Sequence, residues 1–336
     1  MVAELILNVV NFAFEFPRTN ITNFPKNDKG TSAAINYMKY KERNEPFYRA
    51  EVTHSQTLND ASLLGYHGIS TFTSSANVKV TNFMRTLGYS AKGGNNSYVF
   101  EEGSPVANLF LNLKYMIERD GNVEDNPYFD TVHSFNNAYL LKNNAYLPLG
   151  FLAESELAEL KFDDTLHDFE FQNLLFTAAT GIEKDVWWNV SNDTMTVEAT
   201  DNMTLTPLTN TGLVSYKTGA ESGTITYTYI SNGKGLLCLE LRMPKQNTFK
   251  VYRNDQELYT ETFNMDQTFA VSEVYPGDEI KMEITCKKDE ASTIASRAAI
   301  LVESTFRQGY DILNASTMDV TEFSNTKIKG TIDCNR

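Results

Sequence analysis

Cysteine is scarce in this 336-residue chain, and no long apolar run is present. Cys238, Cys286 and Cys334 are too few for a disulfide framework, and their odd number leaves at least one unpaired. They lie far apart without the spacing of metal ligands, so we expect buried free thiols. No apolar run reaches the roughly 18 residues that a membrane span needs.

Positive charge is also in short supply. The chain has 29 lysines and arginines against 43 aspartates and glutamates, which gives a formal charge of −14. Such a charge repels nucleic acids and anionic lipid surfaces, so neither is expected as a partner. The four histidines are scattered, and neither nucleotide-binding nor nucleophile motifs occur. The sequence therefore predicts no metal, no cofactor and no catalytic residue in this chain.

The apolar content of 41%, with 12% aromatic residues, is sufficient for well-packed cores. Before about residue 185, helix and strand patterns mix without regular alternation, which favours an α+β fold. From Trp187 onward β-branched residues and tyrosine dominate, which is typical of an antiparallel, jelly-roll-like β-sandwich. The predicted divisions are a membrane-proximal helix remnant and linker (1–30), a mixed α+β domain (31–185), a β-sandwich (186–300), and a helix with the start of a second β-module (301–336).

The stretch from Phe47 to Tyr89 is the most specific part of the sequence. Its pattern predicts a strand, a polar loop, a second strand and a helix. Ser74 and Ser75 offer an N-cap for that helix, and Gly88 stands where a helix commonly ends. Such a scaffold presents polar groups at its loop ends.

Cap and turn residues predict further elements. Thr31 is expected to cap an early helix, and Ser104 a later helix with Pro105 in its first turn. The pair Asn143–Asn144 predicts a turn between two extended segments. The pair Asn254–Asp255 predicts a hairpin turn, because both residue types tolerate the left-handed conformation.

A polar cluster within the specific stretch is the best candidate for ligand binding. His67 follows Tyr66 and lies close in sequence to hydroxyl and amide groups, a combination that suits a sugar. The alternative is that these side chains stabilise their own loops. Arg49 on an apolar strand needs an acceptor if buried, either a structural carboxylate or an anionic ligand. The predicted ligand-binding residues are Arg49, Tyr66, His67, Ser74, Ser75 and Asn77.

Two other features have structural explanations. The acidic segment 154–170 could contain a carboxylate pair, but a solvated helix face is the preferred interpretation. Trp187, Trp188 and Phe249 are expected in the core or at a hinge rather than on a carbohydrate platform.

Several runs, taken in order, resemble the YfhO-like family of bacterial polytopic membrane proteins, regarded as GT-C-type glycosyltransferases. The runs are FYRAE (47–51), GYHGISTFTSSAN (65–77), FMRTLGY (83–89), SPVANLFLNLKYMI (104–117), NNAYLPLGF (143–151), GLLCLELRMPKQNTFKVYRNDQEL (235–258) and VTEFSNTKIKGTI (320–332). The sandwich departs from the family pattern, with Thr248–Phe249 in place of Gly-Trp and Asn254–Asp255 in place of Asp-Gly. A surface role for the family's tryptophan is therefore not expected here.

The resemblance implies an extracytoplasmic domain on the cell-wall face of a bacterial membrane. The parent protein would move sugar from a polyprenyl-phosphate carrier to a wall polymer such as lipoteichoic acid. This domain would bind the acceptor or shape the site, and it would be inactive without the membrane-embedded remainder of the same chain. The alternatives are a non-catalytic carbohydrate- or polymer-binding module and a structural module.

The resemblance also interprets both ends of the sequence. Residues 3–10, AELILNVV, look like the outer end of a membrane helix, although an ordinary amphipathic helix fits the residues as well. GTIDC at 330–334 echoes GTITY at 223–227 and looks like the start of a second sandwich repeat.

Overall fold

The computed structural model describes residues 7–10, 28–91, 96–101, 103–119, 126–163, 165–190, 194–207, 212–244, 247–262, 265–324 and 326–333. Residues 7–10 are helical, and the other residues before Asp28 lie outside the described ranges, as does Cys334. Within the described ranges, we find no helix that combines the length and the apolar character required for a membrane crossing.

The fold is α+β, with an N-terminal part that mixes helices and strands. Its elements are α1 (Lys29–Lys41), β1 (Arg49–Val52), α2 (Asp60–Leu64), β2 (Thr71–Phe72), α3 (Val78–Thr86), β3 (Ser90–Ala91), β4 (Ser97–Val99), α4 (Pro105–Phe110), β5 (Leu113–Glu118), β6 (Phe129–Phe135), β7 (Ala138–Asn143), α5 (Glu156–Glu159) and α6 (Asp168–Thr180). A four-stranded sheet has the order β1–β5–β7–β6, and a small sheet has the order β2–β4–β3. In the larger sheet β1 and β5 are parallel, and the other neighbours are antiparallel.

An antiparallel β-sandwich follows. Its strands are β8 (Trp187–Asn189), β9 (Met195–Ala199), β10 (Met203–Pro207), β11 (Leu213–Thr218), β12 (Gly223–Ile230), β13 (Gly235–Arg242), β14 (Thr248–Arg253), β15 (Gln256–Thr262), β16 (Gln267–Val274), β17 (Glu279–Cys286) and β18 (Ala291–Leu301). One sheet, here the middle sheet, has the order β10–β11–β18–β13–β16, and β8 also pairs with β18. The other, the outer sheet, has the order β15–β14–β17–β12–β9.

The middle sheet is buried on both faces at strand β13. Leu237 and Leu239 face the outer sheet and join the core of the sandwich. Leu236 and Cys238 face the opposite way and join the core of the N-terminal part. Successive residues of a strand point to opposite faces, so a strand between two cores must be apolar at nearly every position. This accounts for the unbroken apolar run at the start of β13.

The chain continues with α7 (Glu303–Asn314) and the hairpin of β19 (Met318–Ser324) and β20 (Lys327–Ile332). Helix α7 packs on α6, and Gly309 allows the close approach. A Cβ at this position would lie 2.2 Å from Cζ of Phe176. Phe306, also on α7, is fully buried in the N-terminal core.

Several predictions from cap and turn residues are confirmed. Ser104 caps α4 with Pro105 in its first turn. Gly88, with φ of +98°, follows α3. Asn254 and Asp255 both have positive φ at the turn between β14 and β15.

The thiol and aromatic predictions hold for most of the residues concerned. Cys238 and Cys286 are buried thiols outside any disulfide, as expected. Trp187 and Phe249 are buried in the cores. Trp188 differs, because 44% of it is exposed and its ring covers Gly233.

Three local predictions are wrong. Helix α1 is capped by Asp28, whose carboxylate accepts from the backbone N of Thr31 at 3.1 Å. The cap of α3 is Asn77 rather than Ser74 or Ser75. The turn between the paired strands β6 and β7 is Asn136–Asn137, with Asn136 at φ +53°, and not Asn143–Asn144.

The acidic segment 154–170 also departs from a purely solvated face. Asp168, at the start of α6, is buried and lies 2.8 Å from the Nη2 atom of Arg242 on the middle sheet. Burial and the neighbouring Glu240 raise the pKa of the Asp168 carboxyl to about 7. The segment thus contributes a buried carboxylate to the contact between the two parts.

Candidate functional site

Arg49 forms a hydrogen bond with the backbone. Its Nη1 atom donates to the carbonyl oxygen of Leu111 at 2.8 Å. Its guanidinium lies over the ring of Phe47, with 5.4 Å between the Cζ atom and the ring centroid. The expected carboxylate partner is thus replaced by a carbonyl oxygen and an aromatic face.

Tyr66 and His67 follow α2 and have different surroundings. Tyr66 packs against the core between α1 and the four-stranded sheet, and burial raises its pKa. The ring of His67 is exposed and lies 4.9 Å from that of Phe47 and 5.5 Å from that of Phe323, between centroids. Its carbonyl accepts from the backbone N of Ala50 at 2.9 Å. Arg49 and His67 therefore meet at Phe47.

Ser74, Ser75 and Asn77 form the exposed turn before α3. The Oδ1 atom of Asn77 accepts from the backbone N of Lys79 at 3.0 Å, and the hydroxyl of Ser75 lies 3.2 Å from that of Thr73. These contacts stay within the turn, and the hydrogen bonds of the described residues do not join it to His67. Ligand binding by the six residues stays a prediction.

A different group of residues lines a groove where the N-terminal part meets the sandwich. This groove, here called the acidic groove, has a volume of about 330 Å³. It is lined by His54, Ser55, Ser90, Glu101, Thr260, Glu261, Met265 and Gln267. A cavity of about 10 Å³ adjoins it and adds Thr53, Glu118 and Phe269 to the lining.

Strand ends bring these residues together. Because β1 and β5 are parallel, their carboxyl ends open at the same edge, where His54 follows β1 and Glu118 ends β5. Clefts beyond the carboxyl ends of parallel strands are common ligand sites. Glu261 lies on β15, at one edge of the outer sheet, and Gln267 begins β16, at one edge of the middle sheet.

Backbone hydrogen bonds fix the junction beside the groove. The N of Ala91 donates to the carbonyl of Asp266 at 3.0 Å, and the N of Thr268 donates to the carbonyl of Gly88 at 2.8 Å. These two bonds hold β3 against the start of β16. Ser90 and Gln267 lie between them in sequence, so the junction places both at the groove.

His54 lies among three carboxylates. Its Nδ1 atom is 3.4 Å from Oε1 of Glu118, and its Nε2 atom is 3.8 Å from Oε1 of Glu261. Thr53 donates from its hydroxyl to the same Glu118 oxygen at 2.5 Å. His54 also has φ of +52°, in the left-handed region that is uncommon for residues other than glycine.

The pKa of the Glu101 carboxyl reflects the burial and the negative charge in the groove. Burial, followed by repulsion from Glu261, raises the pKa of its carboxyl to about 7. The nearby His54 opposes the shift, and Glu118 adds to it. A perturbed carboxyl in a cleft marks a candidate functional site.

Two polar atoms at the groove have no hydrogen-bond partner among the described residues. They are the hydroxyl of Ser90 and the Oε1 atom of Gln267, and both residues are more than nine-tenths buried. Buried polar atoms are nearly always paired, so each unpaired atom requires an explanation. Both residues belong to the lining of the groove.

The side chains of the groove do not form a metal site. Across the described ranges, His, Cys, Asp and Glu side chains do not form a cluster of three or more suited to a metal ion. What the groove offers is a row of oxygen acceptors, suited to hydroxyl or charged N–H donors.

A second groove, of about 500 Å³, lies beside α1 and β19 and includes Phe47. Next to it, Lys114 is paired with Glu42 at 2.8 Å and with Glu45, and its ammonium lies 5.1 Å from the ring centroid of Tyr146. These charges satisfy one another, so a structural role accounts for them.

Comparison with protein families matches this chain to the family described as "Bacterial membrane protein YfhO", over residues 1–336. Curated protein sequences gave no significant match.

Among solved structures, similar chains include carbohydrate-binding modules. A family 35 module from Clostridium thermocellum is 11% identical, with 34% of this chain and 96% of that chain covered and a TM-score of 0.25. A CBM35 module from Paenibacillus barcinonensis is 14% identical, with coverage of 34% and 96% and a TM-score of 0.24. The low-affinity xylan-binding module CBM86 from Roseburia intestinalis is 15% identical, with coverage of 33% and 98% and a TM-score of 0.22. TM-scores this low support no inference about the ligand of this chain.

Proposed function

The chain belongs to the YfhO family of bacterial membrane proteins, and from this premise we propose that its acidic groove binds the acceptor of a sugar-transfer reaction. The chain is then the extracytoplasmic part of a membrane glycosyltransferase. The parent moves sugar from a polyprenyl-phosphate carrier to a cell-wall polymer such as lipoteichoic acid. Sugar or polyol units of that polymer enter the groove.

The observation that carries the proposal is the pair of unpartnered buried oxygens beside three carboxylates. The hydroxyl of Ser90 and Oε1 of Gln267 lack partners among the described residues. An unsatisfied buried polar group costs about 1–3 kcal/mol. The hydroxyl groups of a sugar or polyol donate to such oxygens, and binding then recovers part of this cost.

The groove suits binding better than transfer. Departure of a phosphate carrier requires positive charge near the phosphate. The described residues that line the groove include neither lysine nor arginine, and the net charge of −14 repels a phosphate carrier. Catalysis is therefore assigned to the membrane-embedded remainder of the parent protein.

The six residues predicted from the sequence are, in their two separate groups, further proposed contacts for the same polymer. The exposed ring of His67 lies against Phe47, which lines the second groove. Aromatic rings beside hydroxyl and amide groups suit stacking against a sugar. His67→Ala tests this contact separately from the acidic groove.

Calorimetric titration of the purified chain tests acceptor binding. The titrants are oligomers of glucose, of N-acetylglucosamine and of glycerol phosphate. We expect at least one oligomer to bind, and Glu261→Gln to weaken that binding at least tenfold, because a charged carboxylate acceptor is replaced by a neutral amide. The matched control is Glu198→Gln, an exposed position on β9 at the opposite edge of the same sheet. Absence of binding by every oligomer, or equal loss in the control, would contradict the proposal.

A transfer assay tests the assignment of catalysis. The purified chain and the membrane-embedded protein in detergent are each incubated with polyprenyl-phosphate sugar and wall-polymer acceptors. We expect turnover only in the incubation that contains the membrane-embedded protein. Turnover by the purified chain at a comparable rate would refute the assignment.

A further inference from the structure

The acidic groove is rich in acceptors and poor in donors. Glu101, Glu118 and Glu261 present carboxylates, and Gln267 adds an unpartnered carbonyl oxygen. Of the described lining residues, His54 alone can carry positive charge, and it already contacts two of the carboxylates. A neutral sugar would bring acceptor lone pairs as well as donors, and its acceptors would meet few partners here.

We infer that the groove binds a primary ammonium group, carried by a sugar or polyol unit of the acceptor polymer. The inference rests on the proposed function and names the chemical class of the ligand. An ammonium has three N–H donors and no acceptor, so it complements Glu101, Glu261 and the Gln267 oxygen. Hydrogen bonds between charged partners are about twice as strong as neutral ones.

The shape of the groove supports an ammonium on a larger unit. Its volume of about 330 Å³ lies at the small end of ligand pockets, which span about 300–1,000 Å³. A bare divalent cation is disfavoured, because the described side chains do not form a metal-holding cluster. The glutamates also repel phosphate, so an anionic polymer with amine substituents would enter by its amines.

A pair of matched probes tests the inference. One is 2-aminoethyl glucoside, and the other is its N-acetylated form, which keeps the sugar and loses the charge. Binding of both to the purified chain is measured by calorimetry at pH 8, where the Glu101 carboxyl is largely ionised. We expect the amine to bind at least tenfold more tightly, and 0.5 M salt to weaken the amine more than the amide.

Two variants test whether the preference for the amine probe arises in the acidic groove. Glu261→Gln should reduce the preference for the amine, and Glu198→Gln should leave it unchanged. Equal binding of the two probes would overturn the ammonium inference and leave sugar binding intact. Absence of binding by both probes and by the neutral oligomers would overturn the proposed function as well.

Discussion

Among single residues, Glu51 illustrates how a buried carboxylate organises a loop. Its oxygens accept from the backbone N of Ile69, from the backbone N of Ser70 at 2.5 Å and from the Ser70 hydroxyl at 3.1 Å. The side chain is almost completely buried, and this burial raises its pKa to about 7 in spite of the donors. The buried carboxyl of Glu51 thus holds the predicted polar loop through its hydrogen bonds to Ile69 and Ser70.

This carboxylate predicts a pH dependence of stability. A raised pKa means that the folded state binds the proton more tightly than the unfolded state, so stability is lost as pH rises from about 4.5 to about 7. Glu51→Gln keeps the shape and one acceptor. We expect its unfolding free energy to fall by about 3 kcal/mol less than that of the wild type across this range. Urea unfolding at pH 5, 6.5 and 8 measures it. Glu198→Gln should follow the wild type, and an unchanged slope in Glu51→Gln would contradict the prediction.

The sequence contains no pattern that points to the residues of the acidic groove. His54, Glu101, Glu118 and Glu261 lie far apart in the chain and share no spacing motif. The register of β1 with β5 and the junction of β3 with β16 bring them together. The six predicted residues, in contrast, are close in sequence, and loop geometry separates them into two groups.

Among secondary structure elements, sequence signals predict the turns correctly where the conformational preference of one or two residues determines the backbone. Asn254 and Asp255 hold positive φ as their types allow. The Asn143–Asn144 prediction failed because Asn143 is buried at the end of β7, where its side chain donates to the carbonyl of Leu113 at 2.9 Å. The exposed face of β6 gave no apolar alternation to indicate where the hairpin turns.

The sequence predicts a helix cap at both Ser104 and Ser75, but the structure predicts different effects when each is replaced by alanine. The hydroxyl of Ser104 accepts from the backbone N of Ala107 at 3.1 Å and donates to Oε1 of Gln172 at 2.8 Å. Ser104→Ala should therefore cost about 1–2 kcal/mol of unfolding free energy. Ser75 lies in an exposed turn and caps no helix, so Ser75→Ala should change it by less than about 0.5 kcal/mol. Denaturant unfolding of both variants checks the contrast, and equal losses would refute it.

At the scale of the whole molecule, the middle sheet belongs to two cores at once. Arg242 contacts Asp168 of the N-terminal part and also Glu240 beside it, at 2.8 Å each. Arg297 reaches the same oxygen of Glu240 at 3.1 Å. A sequence boundary near residue 185 stays a prediction, but the packing across it is continuous.

This packing predicts that the two parts unfold together. Arg242→Met leaves the buried Asp168 and Glu240 carboxylates with less compensation, and such losses cost about 3–5 kcal/mol. Lys281→Met removes the surface ion pairs with Asp255 and Glu279 and should change the unfolding free energy far less. Calorimetry should show one transition in the wild type, shifted down strongly in Arg242→Met alone. Two separate transitions in the wild type would contradict the prediction.

The walls of the acidic groove come from both parts, since His54 and Glu101 belong to one and Glu261 and Gln267 to the other. A ligand that touches both walls binds only while the parts are docked, and by mass action it raises the melting temperature of the whole. By the same linkage, a substitution that loosens the interface far from the groove weakens ligand binding. Ligand affinity and the docking of the two parts are therefore thermodynamically coupled.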